Sequence, residues 1–218
     1  MSDPVTTSYD AVAERYAKEI ADELPGKPID RAWLDCLAEL VAEISSDGMV
    51  ADVGCGPGHV AAYLAERGCR AIGIDISPQM IEVATRRYPQ LTFLVGSLLD
   101  LPAPEAEWAG AACPYSIIHL EPAQRPVAFA ELARAIVPGG WLLLSFHISG
   151  EGHVTGETAH VSDWWGHQVD LDFYFLDPAT IAAEITAVGF TVIATTIREP
   201  WPDVEVQTRR AHILARRD

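Results

Sequence analysis

The stretch VADVGCGPGH, from Val50 to His59, decides the predicted fold of this chain. A short apolar run ends in three glycines, Gly54, Gly56 and Gly58, with a proline among them. Glycine permits a tight turn and lets the backbone approach a bound ligand closely. The pattern therefore predicts a strand that ends in a glycine loop and continues into a helix, whose first N–H groups can face a ligand.

Strands and helices alternate on both sides of this loop. Apolar runs predict strands at 49–54, 69–75, 91–97, 109–118, 141–147, 190–197 and 211–216. Helical periodicity and capping signals predict helices at 9–24, 29–44, about 58–67, 77–88, 122–137 and 177–189, the fifth ended by a Pro-Gly-Gly turn.

This alternation predicts an α/β fold built from parallel β-α-β units. The near-continuous apolar strands predict a sheet covered by helices on both faces. No helix separates the last two strands, so we expect them to pair antiparallel at one edge. We expect a single domain over 1–218, with an N-terminal helical cap over 1–46 and an insert over 147–177.

Composition limits the classes of partner. The 218 residues carry a net charge of −16, which disfavours nucleic acid and suits a small neutral or cationic ligand. No apolar segment approaches the roughly 20 residues that span a bilayer, and the first residues lack a secretory signal, so we expect a cytoplasmic protein without a membrane partner. The spacing of the four cysteines predicts free thiols rather than a metal site.

An acidic residue ends the second predicted strand and narrows the choice of ligand. Asp75 lies 21 residues after Gly54, where a carboxylate can bind both hydroxyls of a ribose. Asp52 adds a negative charge before the loop, which suits a cationic ligand better than a pyrophosphate. The dinucleotide fingerprint needs a third glycine where His59 stands, and no Y-x-x-x-K pair occurs. These features favour a cationic nucleoside over NAD.

Four segments in this order resemble the class I S-adenosylmethionine-dependent methyltransferases. They are VADVGCGPGH, GIDISPQM from Gly73, VGSLLDLP from Val95 and VPGGWLLLSF from Val137. The resemblance covers the chain from about Tyr9 to its end. It implies a Rossmann-like, seven-stranded, mostly parallel sheet with one antiparallel edge strand, which agrees with the paired last strands.

The resemblance also implies S-adenosylmethionine as cofactor and S-adenosylhomocysteine as product. In this family the loop segment faces the methionine part, the acid after the second strand binds the ribose, and the following segments hold the adenine. Tyrosines near the N-terminus cover the cofactor, and the fourth strand offers a backbone carbonyl. The implied cofactor residues are Tyr16, Asp52, Gly54, Cys55, Gly56, Gly58, Asp75, Ile76, Met80, Ser97, Leu98 and Cys113. Many relatives carry an acid at the position of Ser97.

Two histidines are candidates for proton transfer. His119 follows the fourth predicted strand and His147 ends the fifth, and ligands of such sheets bind at those strand ends. An unperturbed histidine has a pKa of about 6.5 and can serve as a general base. Each can equally be a structural residue that bonds to backbone, and we expect at least one to touch the substrate.

The insert over 147–177 holds four histidines and a group of aromatic residues. The histidines are spaced by 6, 7 and 7 residues, a pattern typical of no metal motif, so we expect no metal. Its tryptophans either line an apolar pocket or fasten the insert. The predicted substrate-binding residues are Tyr9, Tyr115, His119, His147, Trp164, Trp165 and Tyr174.

The leading hypothesis is a methyltransferase that acts on a small, partly aromatic metabolite. Two alternatives stay open at this point: a nucleotide-dependent oxidoreductase on a similar sheet, and a cofactor-binding partner protein without turnover. For assembly we expect a homodimer.

Overall fold

The computed structural model describes residues 3–45, 47–150 and 152–218. Its strands are β1 (Met49–Val53), β2 (Arg70–Asp75), β3 (Thr92–Val95), β4 (Trp108–Pro114), β5 (Ile136–Gly150), β6 (Thr158–Trp164), β7 (His167–Tyr174), β8 (Phe190–Arg198) and β9 (Thr208–Arg217). Its α-helices are α1 (Pro4–Ile20), α2 (Pro28–Ile44), α3 (His59–Glu66), α4 (Pro78–Arg87), α5 (Arg125–Ala135) and α6 (Pro178–Thr186). No helix of the described residues is both long and apolar enough to cross a membrane.

Seven strands form one sheet in the order β3-β2-β1-β4-β5-β9-β8. The strands β1 to β5 run parallel to one another, and β9 pairs antiparallel with both β5 and β8. This confirms the predicted α/β fold and the antiparallel pairing of the last two strands. Strand order reverses between β1 and β4, which is where ligands bind in such sheets.

The sheet is buried on both faces because its strands are apolar at successive positions. Side chains of a strand alternate between the two faces. Ala51, Leu142 and Leu144 contact the cluster that includes α5 and α6, whereas Val50 and Leu143 contact the cluster that includes α2 and α3. The helices on both faces explain why the strands show no polar alternation.

Helix α1 begins earlier than its periodicity predicts. Asp3 caps it by accepting from the N–H groups of Val5 and Thr6, so the helix starts at Pro4 rather than near Tyr9. The helix packs on α4 and on β7. This places α1 over the carboxyl ends of the strands.

Helix α5 ends two residues before its predicted end. It stops at Ala135, and the chain continues directly into β5, whose first residue Ile136 pairs with Trp108. The predicted Pro-Gly-Gly turn is therefore part of a long strand, and Gly139 takes a φ of 80° there. The pairing partner of Ile136 is distant in sequence, which local periodicity cannot detect.

The insert forms a two-stranded sheet of its own. Strands β6 and β7 pair antiparallel, with Val161 opposite Leu171. The alternating segment DLDFYFL predicts part of β7, whereas its partner β6 has no clear signal in the sequence. We call this pair of strands, residues 158–174, the hairpin.

Candidate active site

A cleft opens at the carboxyl ends of β1 to β4, beneath α1. Its empty space, including the solvent-open mouth, is about 900 Å³. The predicted residues that line it are Tyr9, Tyr16, Gly54, Gly56, Asp75, Ile76, Met80, Ser97, Leu98, Tyr115 and His119. Asp3, Val5, Val53, Gly96, Leu99, Pro114, Ser116, Leu120 and Gln124 complete the lining.

The glycine loop is bent so that only glycine fits at its first position. Gly54 and Gly56 have φ values of 78° and 50°. The N–H groups of Gly54 and Cys55 both bond the carbonyl of Ile74, which holds the loop against β2. A Cβ at Gly54 would overlap the side chain of Ser116. The loop thus packs against the end of β4 and leaves its backbone open to the cleft.

Asp75 is held by backbone donors on two sides. Gly56 N donates to its Oδ2 at 2.8 Å, and Ser77 N donates to its Oδ1 at 2.9 Å. Burial is the largest effect on this carboxyl and raises its pKa to about 6. The carboxylate retains lone pairs that can accept from two vicinal hydroxyls. This geometry suits a ribose.

Asp52 lies beneath the loop rather than in the lining. It is fully buried, and its Oδ2 accepts from Ala61 N at 2.9 Å in the first turn of α3. Its Oδ1 has no hydrogen-bond partner among the described residues, and burial raises its pKa to about 8. Cys55, Gly58 and Cys113 likewise lie outside the lining of the cleft. Direct contact of these four residues with a cofactor stays a prediction.

Beyond Asp75, the lining of the cleft includes the apolar side chains of Ile76 and Met80 and the hydroxyl of Ser97. Met80 is fully buried and Ile76 lies beside it in the lining. The Oγ of Ser97 accepts from Leu99 N at 3.1 Å, which leaves its proton free to donate. Such a surface can hold a flat heteroaromatic ring.

His119 bonds through both ring nitrogens. Its Nδ1 lies 2.9 Å from the carbonyl oxygen of Asp172 in the hairpin, so Nδ1 must donate. Its Nε2 therefore accepts from the hydroxyl of Tyr9 at 2.7 Å. Burial lowers the pKa of His119 to about 4, so the ring is neutral at pH 7. The histidine ties α1 to the hairpin at the edge of the cleft.

The two tryptophans of the hairpin pack on the outside of the cleft tyrosines. Trp164 contacts Tyr9 and Tyr16 edge-on, with ring centroids 6.1 and 5.8 Å apart, and stacks on Trp165 at 4.7 Å. Tyr174 packs instead against the main core. These three predicted substrate residues lie outside the lining of the cleft, and their contact with substrate stays a prediction.

His147 lies behind Tyr115. Its Nδ1 is 2.7 Å from the Oγ1 of Thr208, and its ring stacks on Tyr115 with centroids 5.0 Å apart. Burial, followed by the charge of Arg210, lowers the pKa of His147 to about 3. Tyr115 lines the cleft with an unusual backbone φ of 59°, and its hydroxyl donates to Asp30 at 3.1 Å.

Sequence reasoning missed a group of buried charges next to Tyr115. The side chains come from distant parts of the chain: Lys27, Asp30, Arg198, Glu205 and Arg210. Ser116 was also missed, although its place just after β4 is a signal that could have found it. Among the described residues, no three His, Cys, Asp or Glu side chains form a group that could hold a metal.

Comparison with known proteins identifies the family. Residues 50–140 match the model of a methyltransferase domain. The malonyl-[acyl-carrier protein] O-methyltransferase of Serratia marcescens is 34% identical over 70% of this chain and 58% of that protein. The demethylmenaquinone methyltransferase of Beutenbergia cavernae is 25% identical over 91% of this chain and 77% of that protein.

A solved structure supports the fold independently. The SAM-dependent methyltransferase from Methanosarcina mazei superposes with a TM-score of 0.70 and 18% identity, over 79% of this chain and 93% of that one. Sequence match, sheet order and loop geometry agree. This chain belongs to the class I S-adenosylmethionine-dependent methyltransferases.

Proposed function

We propose that this chain transfers the methyl group of S-adenosylmethionine to a small-molecule acceptor. The observation that carries the proposal is that one cleft joins the ribose-type carboxylate of Asp75 to the strand-end residues Tyr115 and His119. A site for the donor and a place for an acceptor therefore lie side by side at the reversal of strand order.

The lining fits the parts of the cofactor. Asp75 would accept from the ribose hydroxyls, and Ile76 and Met80 would pack on the adenine. Gly54 and Gly56 would leave room for the methionine part. The cofactor supplies a methyl group on a cationic sulfur, which a nucleophile displaces in line. Asp75, whose pKa of about 6 leaves it ionised at pH 7, is the lining carboxylate that favours such a cation.

The chain contributes mainly by positioning and by excluding water. Orientation of two reactants alone supplies roughly 7–11 kcal/mol in well-arranged systems. Tyr9 and Tyr16 cover the cleft, and Trp164 packs behind both. This arrangement supports a covering role for the hairpin rather than an aromatic acceptor pocket. The acceptors in the relatives' names, a malonyl carrier protein and a quinone, differ too much to name one here.

The two histidines are proposed to act differently. His119 would position Tyr9, because both of its ring nitrogens are occupied. His147 would accept a proton only through Nε2, behind Tyr115. We expect His119→Ala and His147→Ala each to lower the rate of methyl transfer more than the affinity for S-adenosylhomocysteine, as measured by kcat beside calorimetric Kd. Unchanged kcat in His119→Ala would contradict its role in positioning Tyr9, and unchanged kcat in His147→Ala would contradict proton transfer through His147.

Calorimetry with S-adenosylmethionine and S-adenosylhomocysteine tests the donor site. Hydrogen bonds to a charged group are worth about 1.5–3 kcal/mol each, so Asp75→Ala should weaken both ligands at least about tenfold. Asp47→Ala is the matched control. Asp47 is exposed and lies just before β1, at the end of that strand away from the glycine loop and the cleft. Equal affinity in the wild-type chain and Asp75→Ala would contradict the proposal.

Turnover needs a separate test. The chain is incubated with cell extract and methyl-labelled S-adenosylmethionine, and labelled products are sought by mass spectrometry. Labelled small molecules that disappear with Asp75→Ala support the proposal. Cofactor binding without any labelled product would favour the non-catalytic partner instead, and tight binding of NADH would favour an oxidoreductase.

A further inference from the structure

A second, smaller cavity lies behind Tyr115. Its empty space, including any part open to solvent, is about 470 Å³, against about 900 Å³ for the cleft. Tyr115 and Pro114 line both this cavity and the cleft, and so separate the two. Its polar walls are Lys27, Asp30, His59, Tyr115 and Ser145. We call it the second cavity.

Each carboxylate oxygen of Asp30 and Glu205, beside the second cavity, already has a donor. Asp30 accepts from Tyr115 at one oxygen and from Arg198 at the other, at 3.1 and 2.7 Å. Glu205 accepts from Arg198 at both oxygens, and Lys27 lies 3.3 Å from its Oε2. No carboxylate oxygen of Asp30 or Glu205 is therefore without a donor among the described residues.

Donors remain unused in the same region. Nδ1 of His59, which lines the second cavity, is buried without a hydrogen-bond partner among the described residues, and so are the Nε atoms of Arg198 and Arg210, which lie outside its lining. Lys27 bonds Glu23 and Glu205, which leaves one of its three N–H groups. Buried donors normally find an acceptor. A group bound here would therefore accept hydrogen bonds from His59 and Lys27.

The electrostatics favour an anion over a neutral acceptor. Burial, and next the charge of Lys27, lower the pKa of His59 to about 4, so this ring is neutral at pH 7 and can donate one N–H. The charges of Arg210 and Lys27 also lower the pKa of His147 on the other side of Tyr115. Besides burial, which is the largest effect on both rings, Lys27 therefore places positive charge near His59 and His147.

We propose that the second cavity binds a carboxylate of the methyl acceptor, so that the substrate is a small acid. This inference rests on the proposed function. Lys27 and His59 would donate to the carboxylate oxygens, and Tyr115 would separate that group from the cofactor. The cavity holds one such group, and the remainder of the acceptor would pass Tyr115 into the cleft, where the methyl group is delivered.

Calorimetric melting with acetate tests the cavity. The full chain is melted with and without saturating S-adenosylhomocysteine, in sodium acetate or in acetamide, with sodium chloride holding ionic strength equal. At acetate concentrations several times its Kd, we expect the Tm to rise by about 2 °C or more, and acetamide to have no effect. Lys27→Met should abolish the rise, whereas Lys18→Met, on the exposed side of α1, should retain it.

A second variant distinguishes loss of the acetate site from misfolding of the chain. Lys27→Met leaves Glu23 and Glu205 without their shared cation, whereas His59→Phe leaves these ion pairs intact and removes only the ring nitrogens. We expect His59→Phe to lose the acetate effect while far-ultraviolet circular dichroism stays unchanged. An acetate effect that persists in both variants, or that acetamide reproduces, overturns the proposal.

The alternative ligand of the second cavity is the carboxylate in the methionine part of the cofactor. The wild-type chain, Lys27→Met and His59→Phe distinguish the two ligands. If the second cavity holds the acceptor, acetate and S-adenosylhomocysteine bind together and both variants keep wild-type cofactor affinity. Competition between them, or variants that weaken S-adenosylhomocysteine but not 5′-methylthioadenosine, would overturn the proposal and leave the methyltransferase assignment standing. Loss of all S-adenosylhomocysteine binding in the wild-type chain would contradict the proposed function itself.

Discussion

At the scale of single residues, the ionisation of Asp75 controls how the cleft receives a nucleoside. The carboxyl is buried at the end of β2, and burial outweighs its two backbone hydrogen bonds, which raises its pKa to about 6. A carboxyl whose pKa is raised favours the protonated form in the folded chain. Folding of the free chain is therefore favoured by this group at low pH, and this contribution is lost as the pH rises through about 6.

Ligand binding should show the opposite dependence on pH. Ribose hydroxyls need the ionised carboxylate as acceptor, so affinity for S-adenosylhomocysteine should be level just above pH 6 and fall by up to about tenfold per unit below it. Calorimetry between pH 5 and 7 measures this change in affinity. The pKa of Asp52 is raised to about 8, above that range, so the ionisation of Asp52 should contribute little to the change. Asp75→Asn should bind weakly at every pH. A wild-type affinity that does not change over this range would contradict the role given to Asp75.

At the scale of elements, the hairpin and α1 form one cover over the cleft. Ser8 accepts from Asp170 N at 2.8 Å, and His119 joins Tyr9 to Asp172. The aromatic contacts of Trp164 add packing between the two elements. Because the cover lies over the cleft, we expect its stability to set the rate of cofactor release.

Removal of Trp164 should loosen this cover. Trp164→Ala loses contacts with Tyr9, Tyr16 and Phe173, and because Trp164 is half-buried the loss should be smaller than the about 3–5 kcal/mol of a fully buried aromatic side chain. We expect faster amide exchange over residues 158–174 and faster dissociation of S-adenosylhomocysteine in stopped flow. Trp165→Ala is the control, because Trp165 is 36% exposed and should change both rates less. Equal effects of the two variants would show that the cover does not depend on Trp164.

At the scale of the whole molecule, buried charges tie the N-terminal region to the end of the chain. Glu205 bonds Arg198 at the end of β8, Arg210 in β9 and Lys27 just before α2. Its side chain is fully buried, and the bond from Arg198 is the largest of the effects that hold its pKa down, to about 2. A lowered carboxyl pKa stabilises the fold above the unfolded value of 4.5, and this stability is lost as the pH falls towards 2.

Glu205→Gln should therefore destabilise the whole fold. Breaking a buried ion pair leaves uncompensated charge and costs about 3–5 kcal/mol. Glu199→Gln, which breaks the exposed pair with Arg209, should cost less than about 1 kcal/mol. Urea unfolding at pH 7 measures both changes. The deficit of Glu205→Gln should shrink below pH 4.5, and a deficit that is constant down to pH 3 would contradict the charge argument.

The amino-acid sequence by itself determined the sheet, the glycine loop and the donor half of the cleft. These depend on local patterns: an apolar strand, glycines at fixed spacing, and Asp75 one strand later. Each signal lies within a few residues of the structure it specifies, so Gly54, Asp75 and Met80 could be placed in the cleft before the fold was known. The order of the four motifs along the chain then indicated the methyltransferase family and its cofactor.

Only the tertiary structure decided the surroundings of His119 and His147, where we propose that the acceptor binds. His119 follows β4, and His147 lies within the neighbouring parallel strand β5 rather than at its predicted end, so that one lines the cleft and the other lies behind Tyr115. Their hydrogen-bond partners come from α1, β7 and β9, whose positions no local pattern specifies. The charges of the second cavity meet from positions as far apart as Lys27 and Arg210. Such contacts arise when distant elements pack together, and for that reason the donor could be inferred from the sequence and the second cavity could not.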